Sequence, residues 1–185
     1  MNKFSITLPR PETSTGRPAP CEFGDYFKVY IDKTSGNDPV QELIDTADEL
    51  LSFLEAVPEH RETYRYAEGK WSIREMLGHI IDTDRVFAYR AMTFARGDNV
   101  GLPGFEQDDW VTPSGAHERS LSDLNQEFIE QRSSLIRMFA SLPENAWTRT
   151  GTASSSRFSV RAIAFLLAGH VRHHLHILQE RYGEK

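Results

Sequence analysis

The chain has one cysteine, Cys21, in 185 residues. A single thiol can build neither an intrachain disulfide framework nor a cysteine-based metal cage. Long apolar runs are also missing: VRAIAFLLAGHV is about half the length that crosses a bilayer, and it carries an arginine. The opening residues, MNKFSITLPRPETSTG, lack the apolar core of a secretion signal. These absences lead us to expect a cytoplasmic protein with no membrane partner. Basic residues are in the minority, 21 against 27 acidic ones, for a formal charge of −6, and they are dispersed. Phosphate-backbone affinity comes chiefly from clustered Lys and Arg releasing counterions, so no nucleic-acid partner is expected. There is no internal repeat, and no convincing β pattern after residue 38.

What remains is an ordinary globular composition, 39% hydrophobic and 26% charged. The length suits one domain with a sizeable core. Residues 1–38 contain Pro9, Pro11, Pro18 and Pro20 and the polar stretch KTSGND, and read as an irregular N-terminal arm. Within it, FGDYFKVYI (23–31) fits either a short strand or a segment that wraps the core through its aromatics. Residues 39–185 form the expected domain. Asp38-Pro39 is a helix start, an Asp cap followed by proline at the first helical position. Leu43, Ile44, Ala47, Leu50, Leu51 and Leu54 then mark one apolar face of a helix ending before Pro58. Ser72-Ile73-Arg74-Glu75 is a capping box, opening a long helix to about residue 96. Residues 97–119, with four glycines and two prolines, read as a long loop, a length at which loops are often functional. A third helix starts near Ser120 or Ser122 and runs to about 141. Residues 142–158 read as a connector, and Ser159 caps a fourth helix that stops at Gly183. Four amphipathic helices predict an all-α fold, a four-helix bundle.

Four of the seven histidines crowd the fourth helix in AGHVRHHLHIL. Positions four apart share a helix face. His170 and His174 therefore lie together on the apolar stripe with Ile163, Leu167, Ile177 and Leu178. His173 falls at the edge of that stripe and His176 near the opposite, solvated side. On the long helix, His79 borders the stripe of Ile73, Met76, Leu77, Ile80 and Phe87. Metal sites in bundles arise where inward side chains of facing helices converge. One imidazole from each of His79, His170 and His174 would leave a position open for water or substrate, as in catalytic zinc sites. Hydrogen bonds or water can also satisfy buried imidazoles, so spacing alone leaves both readings open. HVRHH has Val171 where the H-E-x-x-H metalloproteases need glutamate. Glu75 and His79 are four apart, not the three of a di-iron bundle. Asp82, three residues after His79, would orient an imidazole or face solvent, with solvent favoured. Arg85 and Arg90 read as helix-surface charges before substrate contacts. Trp71, Phe87, Tyr89, Phe94 and Trp110 read as core and loop anchors.

AEGKWSIREMLGHIIDTDRVFAYRAMTFARGD, a loop containing LPGFEQDDW, and SVRAIAFLLAGHVRHHLHILQERYG together resemble the DinB-like family of the wider DinB/YfiT-like metalloenzyme superfamily. The resemblance spans roughly residues 39–183 and leaves the first 38 uncovered. It implies an up-down-down-up bundle, commonly a homodimer, with a divalent metal on His79, His170 and His174. Zinc or nickel is the usual ion there, with manganese or iron also found. It further implies a small-molecule substrate, handled by a transferase or isomerase using a low-molecular-weight thiol, or by a metal-dependent hydrolase. A non-catalytic metal- or ligand-binding module is the alternative. No general base is assigned; His173 and Asp82 are the candidates.

Overall fold

The computed structural model describes residues 15–183. The expectation of an irregular arm over 1–38 therefore lies outside the described residues for its first fourteen. From there the chain makes two short 3-10 turns and the helical turn α1 (Lys28–Ile31), then α2 (Pro39–Glu55) and α3 (Ile73–Ala95). The short α4 (Gln107–Val111) follows, then α5 (Leu121–Ala140), a hairpin of β1 (Thr150–Ala153) and β2 (Ser156–Ser159), and α6 (Val160–Arg181).

Each bundle helix begins where a short polar side chain caps its orphan amides. Asp38 Oδ1 accepts from Val40 N at 2.9 Å and Gln41 N at 3.2 Å. Ser72 accepts from Glu75 N while Glu75 Oε2 accepts from Ser72 N at 2.7 Å, closing the box. Ser120 accepts from Asp123 N and Ser159 from Ala162 N, each at 3.1 Å. The apolar faces of α2, α3, α5 and α6 meet in one core, in which Leu50, Phe94, Phe128, Phe139, Trp147 and Phe165 are almost fully buried. Each such side chain contributes roughly 1.5–3 kcal/mol by leaving water.

Cross-bundle contacts give the helix directions. Tyr182, after α6, donates to Trp71 O, just before α3, so these helices run antiparallel. Arg61, after α2, donates to Tyr182 O, so α2 and α6 are parallel. Glu62 accepts from both Arg74, at the start of α3, and Leu121 N, at the start of α5, so that pair is parallel too. The result is the up-down-down-up four-helix bundle.

Two local expectations change. The connector at 142–158 holds an antiparallel hairpin, pairing Thr150 with Ser159 and Ala153 with Ser156. Its turn places Ser154 and Ser155 at φ of 50° and 58°, a left-handed conformation usually signalled by Gly or Asn, and neither is present. The loop at 97–119 contains α4 and a 3-10 turn at Ala116–Glu118. Of the two readings of residues 23–31, the aromatic wrap fits better: Asp25–Ile31 form helical turns, Phe23 makes only an isolated antiparallel bridge to Phe158, and the Phe27 ring meets Phe158 edge-on at 4.8 Å. No helix among the described residues is long and apolar enough to cross a membrane.

Candidate metal centre

His79 sits near the start of α3, and His170 and His174 one turn apart on the facing side of α6. Because α3 and α6 run antiparallel, the early turns of one meet the late turns of the other. His170 Nε2 lies 3.1 Å from His79 Nε2 and 3.0 Å from His174 Nε2. All three ligand nitrogens fall within 4.8 Å of one another, and all three residues are buried. His173 and His176 do not join them. His173 is half-buried with its ring 5.2 Å from Tyr30, and His176 is exposed beside Glu180 at 3.2 Å.

Protons alone satisfy this cluster poorly. Neutral imidazole has one N–H and one acceptor nitrogen. His170 Nε2 faces two other Nε2 atoms and can make one good hydrogen bond, so a buried nitrogen is left over. The Nδ1 atoms of His170 and His174 are also buried without a partner. Protonation would not relieve this. Burial, and then the charge of His173, push His79 down to about 4. Burial first, then the neighbouring histidines, hold His170 and His174 well below the usual imidazole range. Three neutral imidazoles with converging lone pairs are the donor set of a divalent transition metal.

Two glycines let the surrounding chain close on the three histidines, and each immediately precedes one of them. A Cβ on Gly169 would lie 1.9 Å from Tyr30 O, so α1 crosses α6 in backbone contact. That brings the Tyr30 ring to 5.4 Å from His170. A Cβ on Gly78 would lie 2.7 Å from the Ala116 methyl, so the 3-10 turn seats against α3 beside His79. Trp71 covers the other side, its ring 4.8 Å from His79.

Two cavities reach the cluster. One, of about 620 Å³, is lined by His174, Trp71, Met76, Tyr182, Arg65 and Asp108 among others. The second, of about 300 Å³, is lined by His170, Thr83, Phe87, Arg90 and again Asp108. Asp108 on α4 is exposed and borders both, and no sequence pattern singles it out. Asp82 turns away toward Arg85 at 3.4 Å. Arg90 departs from its surface reading: it is buried, with Nη2 donating to Pro103 O at 2.8 Å and Ser154 Oγ at 2.9 Å. Phe87 and Phe94 are core residues as expected, whereas Tyr89 and Trp110 are exposed. A further buried pair, Asp84 and Arg132 at 3.1 Å, joins α3 to α5 behind the site. Burial pushes the Asp84 carboxyl up, against the opposing pull of Arg132.

The model of the DinB superfamily matches residues 42–178. Two solved structures share the fold. YfiT from Bacillus subtilis, a probable metal-dependent hydrolase with an unusual four-helix bundle topology, superposes with a TM-score of 0.70 at 15% identity, covering 82% of this chain and 91% of that one. A mycothiol-dependent maleylpyruvate isomerase superposes with a TM-score of 0.66 at 10% identity, covering 83% of this chain and 62% of that one. No curated protein sequence matches the chain significantly.

Proposed function

The chain belongs to the DinB superfamily, and from that premise we propose that it is a metal-dependent enzyme acting on a small molecule. His79, His170 and His174 hold the ion, with zinc or nickel ahead of manganese and iron. The observation that carries this reading is the convergence of three buried Nε2 atoms at His170, of which one good hydrogen bond satisfies only two. Three protein ligands beside two open cavities match a catalytic site better than a closed, four-ligand structural one. When bound, such an ion polarises an electrophile and lowers the pKa of a coordinated water or thiol.

The chain's own contribution is positional. Burial keeps the imidazoles neutral and thus ready to bind metal, while Tyr30 and Trp71 cover the cluster and restrict water. No carboxylate belongs to the ligand group among the described residues. That favours transfer of a low-molecular-weight thiol onto a small electrophile, because a thiol already deprotonated needs no base. The thiol-dependent isomerase of the same fold supports this choice. Hydrolysis is the second reading, and Asp108, bordering both cavities, is the carboxylate placed to serve it. The test is conjugation of thiols (cysteine, glutathione, bacillithiol, mycothiol) to monochlorobimane, run beside p-nitrophenyl acetate hydrolysis. Thiol conjugation should require the reloaded metal and vanish in His174→Ala. Equal rates in chelated and reloaded protein would overturn the proposal.

A further inference from the structure

Arg90 is the observation that the metal-site reading leaves over. Its residue is 2% exposed, yet its two hydrogen bonds both use Nη2 and both go to neutral acceptors. No carboxylate among the described residues pairs with it. A buried cation without a counter-ion is costly and is normally paired. Its guanidinium stacks over Phe87, 4.6 Å from the ring centroid, and lies 5.9 Å from that of Phe105.

Two further residues that line the same 300 Å³ cavity carry buried polar atoms without a partner. Thr83, 3% exposed, has a buried hydroxyl without a hydrogen-bond partner. His170 lines the cavity too, with an unpartnered Nδ1, while its Nε2 belongs to the ligand cluster. Tyr26, Phe27, Tyr30, Phe87 and Phe105 give part of the remaining wall an aromatic face. Glu106 and Asp108 also border it, but both are exposed and neither pairs with Arg90. Their charge disfavours polyanions and leaves room for a compact monoanion that penetrates past them.

We propose that this cavity is a carboxylate-binding subsite, in which Arg90 and Thr83 anchor the carboxylate of an aromatic or similarly flat apolar acid beside the metal centre. This names the substrate class of the site proposed above and rests on that reading. Guanidinium matches carboxylate through parallel N–H donors, and Arg90 has donors left to offer. The ring walls supply the apolar contact, so an acid and its neutral amide should differ mainly at Arg90.

The experiment compares phenylacetate with phenylacetamide, and benzoate with benzamide, by calorimetric titration of the metal-loaded full chain and of the same protein after chelation. The acids should bind at least about tenfold more tightly than the amides in both samples, the scale of a hydrogen bond to a charged group. Arg90→Gln should bring that ratio below about twofold. Thr83→Val, which removes a hydroxyl that bonds to nothing in the protein, should weaken the acids alone by about threefold or more. Three results would overturn the subsite: equal binding of acids and amides, an acid preference that survives Arg90→Gln, or one that disappears on chelation with Arg90 intact. The last would place the carboxylate on the metal and leave the metal reading standing. If Arg90→Gln fails to fold, Thr83→Val and the chelated wild type decide the question. Conversely, protein that binds no metal yet keeps the Arg90-dependent preference would refute the enzyme proposal and leave the anion pocket.

Discussion

His79 and His170 are 91 residues apart in the chain, yet their Nε2 atoms approach to 3.1 Å in the buried centre of the bundle. Two neutral rings meet this closely only if they share one proton or one ion. His174 Nε2 lies 3.0 Å from the same His170 atom, so one shared proton leaves a third nitrogen over, and the proposed metal site rests on that arrangement.

The cluster imposes a pH dependence on the metal-free protein. His79 titrates near 4 when folded against an ordinary value of 6.5, so the unfolded chain binds more protons between those limits. Stability is then full above pH 6.5 and is lost as the pH falls toward 4. His79 alone should cost about 2 kcal/mol by pH 5, with His170 and His174 adding to it. Urea midpoints measured with chelator at pH 7, 6 and 5 should fall steadily, and His79→Gln should flatten the slope. A midpoint indifferent to pH across this window would show that the rings are not buried neutral.

Gly169→Ala should destabilise the protein, because its methyl would occupy the position of Tyr30 O. The expected loss is about 1–3 kcal/mol or somewhat more, since the obstacle is backbone. Gly78→Ala clashes with the Ala116 methyl at 2.7 Å and otherwise makes an ordinary contact with Ser114 Oγ at 3.9 Å. It should therefore be rescued by adding Ala116→Gly, which empties that space. A double variant no more stable than Gly78→Ala by thermal melting would refute the steric account.

The Asp84–Arg132 pair should behave as a buried ion pair with little net value. Asp84 Oδ2 and two Arg132 nitrogens are buried without partners, so the pair is poorly satisfied. Arg132→Met or Asp84→Leu alone should cost about 3–5 kcal/mol, while the double replacement should be near neutral. Additive losses in chemical denaturation would mean that the two charges are not coupled.

Much of this fold can be read from local chemistry. Asp38, Ser72 and Ser159 announce their helices because a cap needs only its own next three residues. The inward histidines follow from i,i+4 spacing, which also sends His176 to solvent. What escapes the sequence depends on partners distant in the chain. Arg90 and Arg132 sit among charges that look like helix surface, and their burial is decided by the hairpin, the 97–119 loop and α3. The hairpin hides because Ser154-Ser155 turns without glycine, and its strands are only four residues long. Gly78 and Gly169 are visible as letters, but their meaning requires Ala116 and Tyr30.

The most direct measurement is metal stoichiometry and affinity on tag-free protein that has been chelated and reloaded with Zn²⁺ or Ni²⁺. One ion per chain is expected in the wild type and in His176→Ala. His79→Ala should lose more affinity than the roughly 10–100-fold typical of replacing a residue that only hydrogen-bonds to a ligand. A wild type that binds no ion, or a His79→Ala variant that binds one with unchanged affinity, would contradict the proposed metal site.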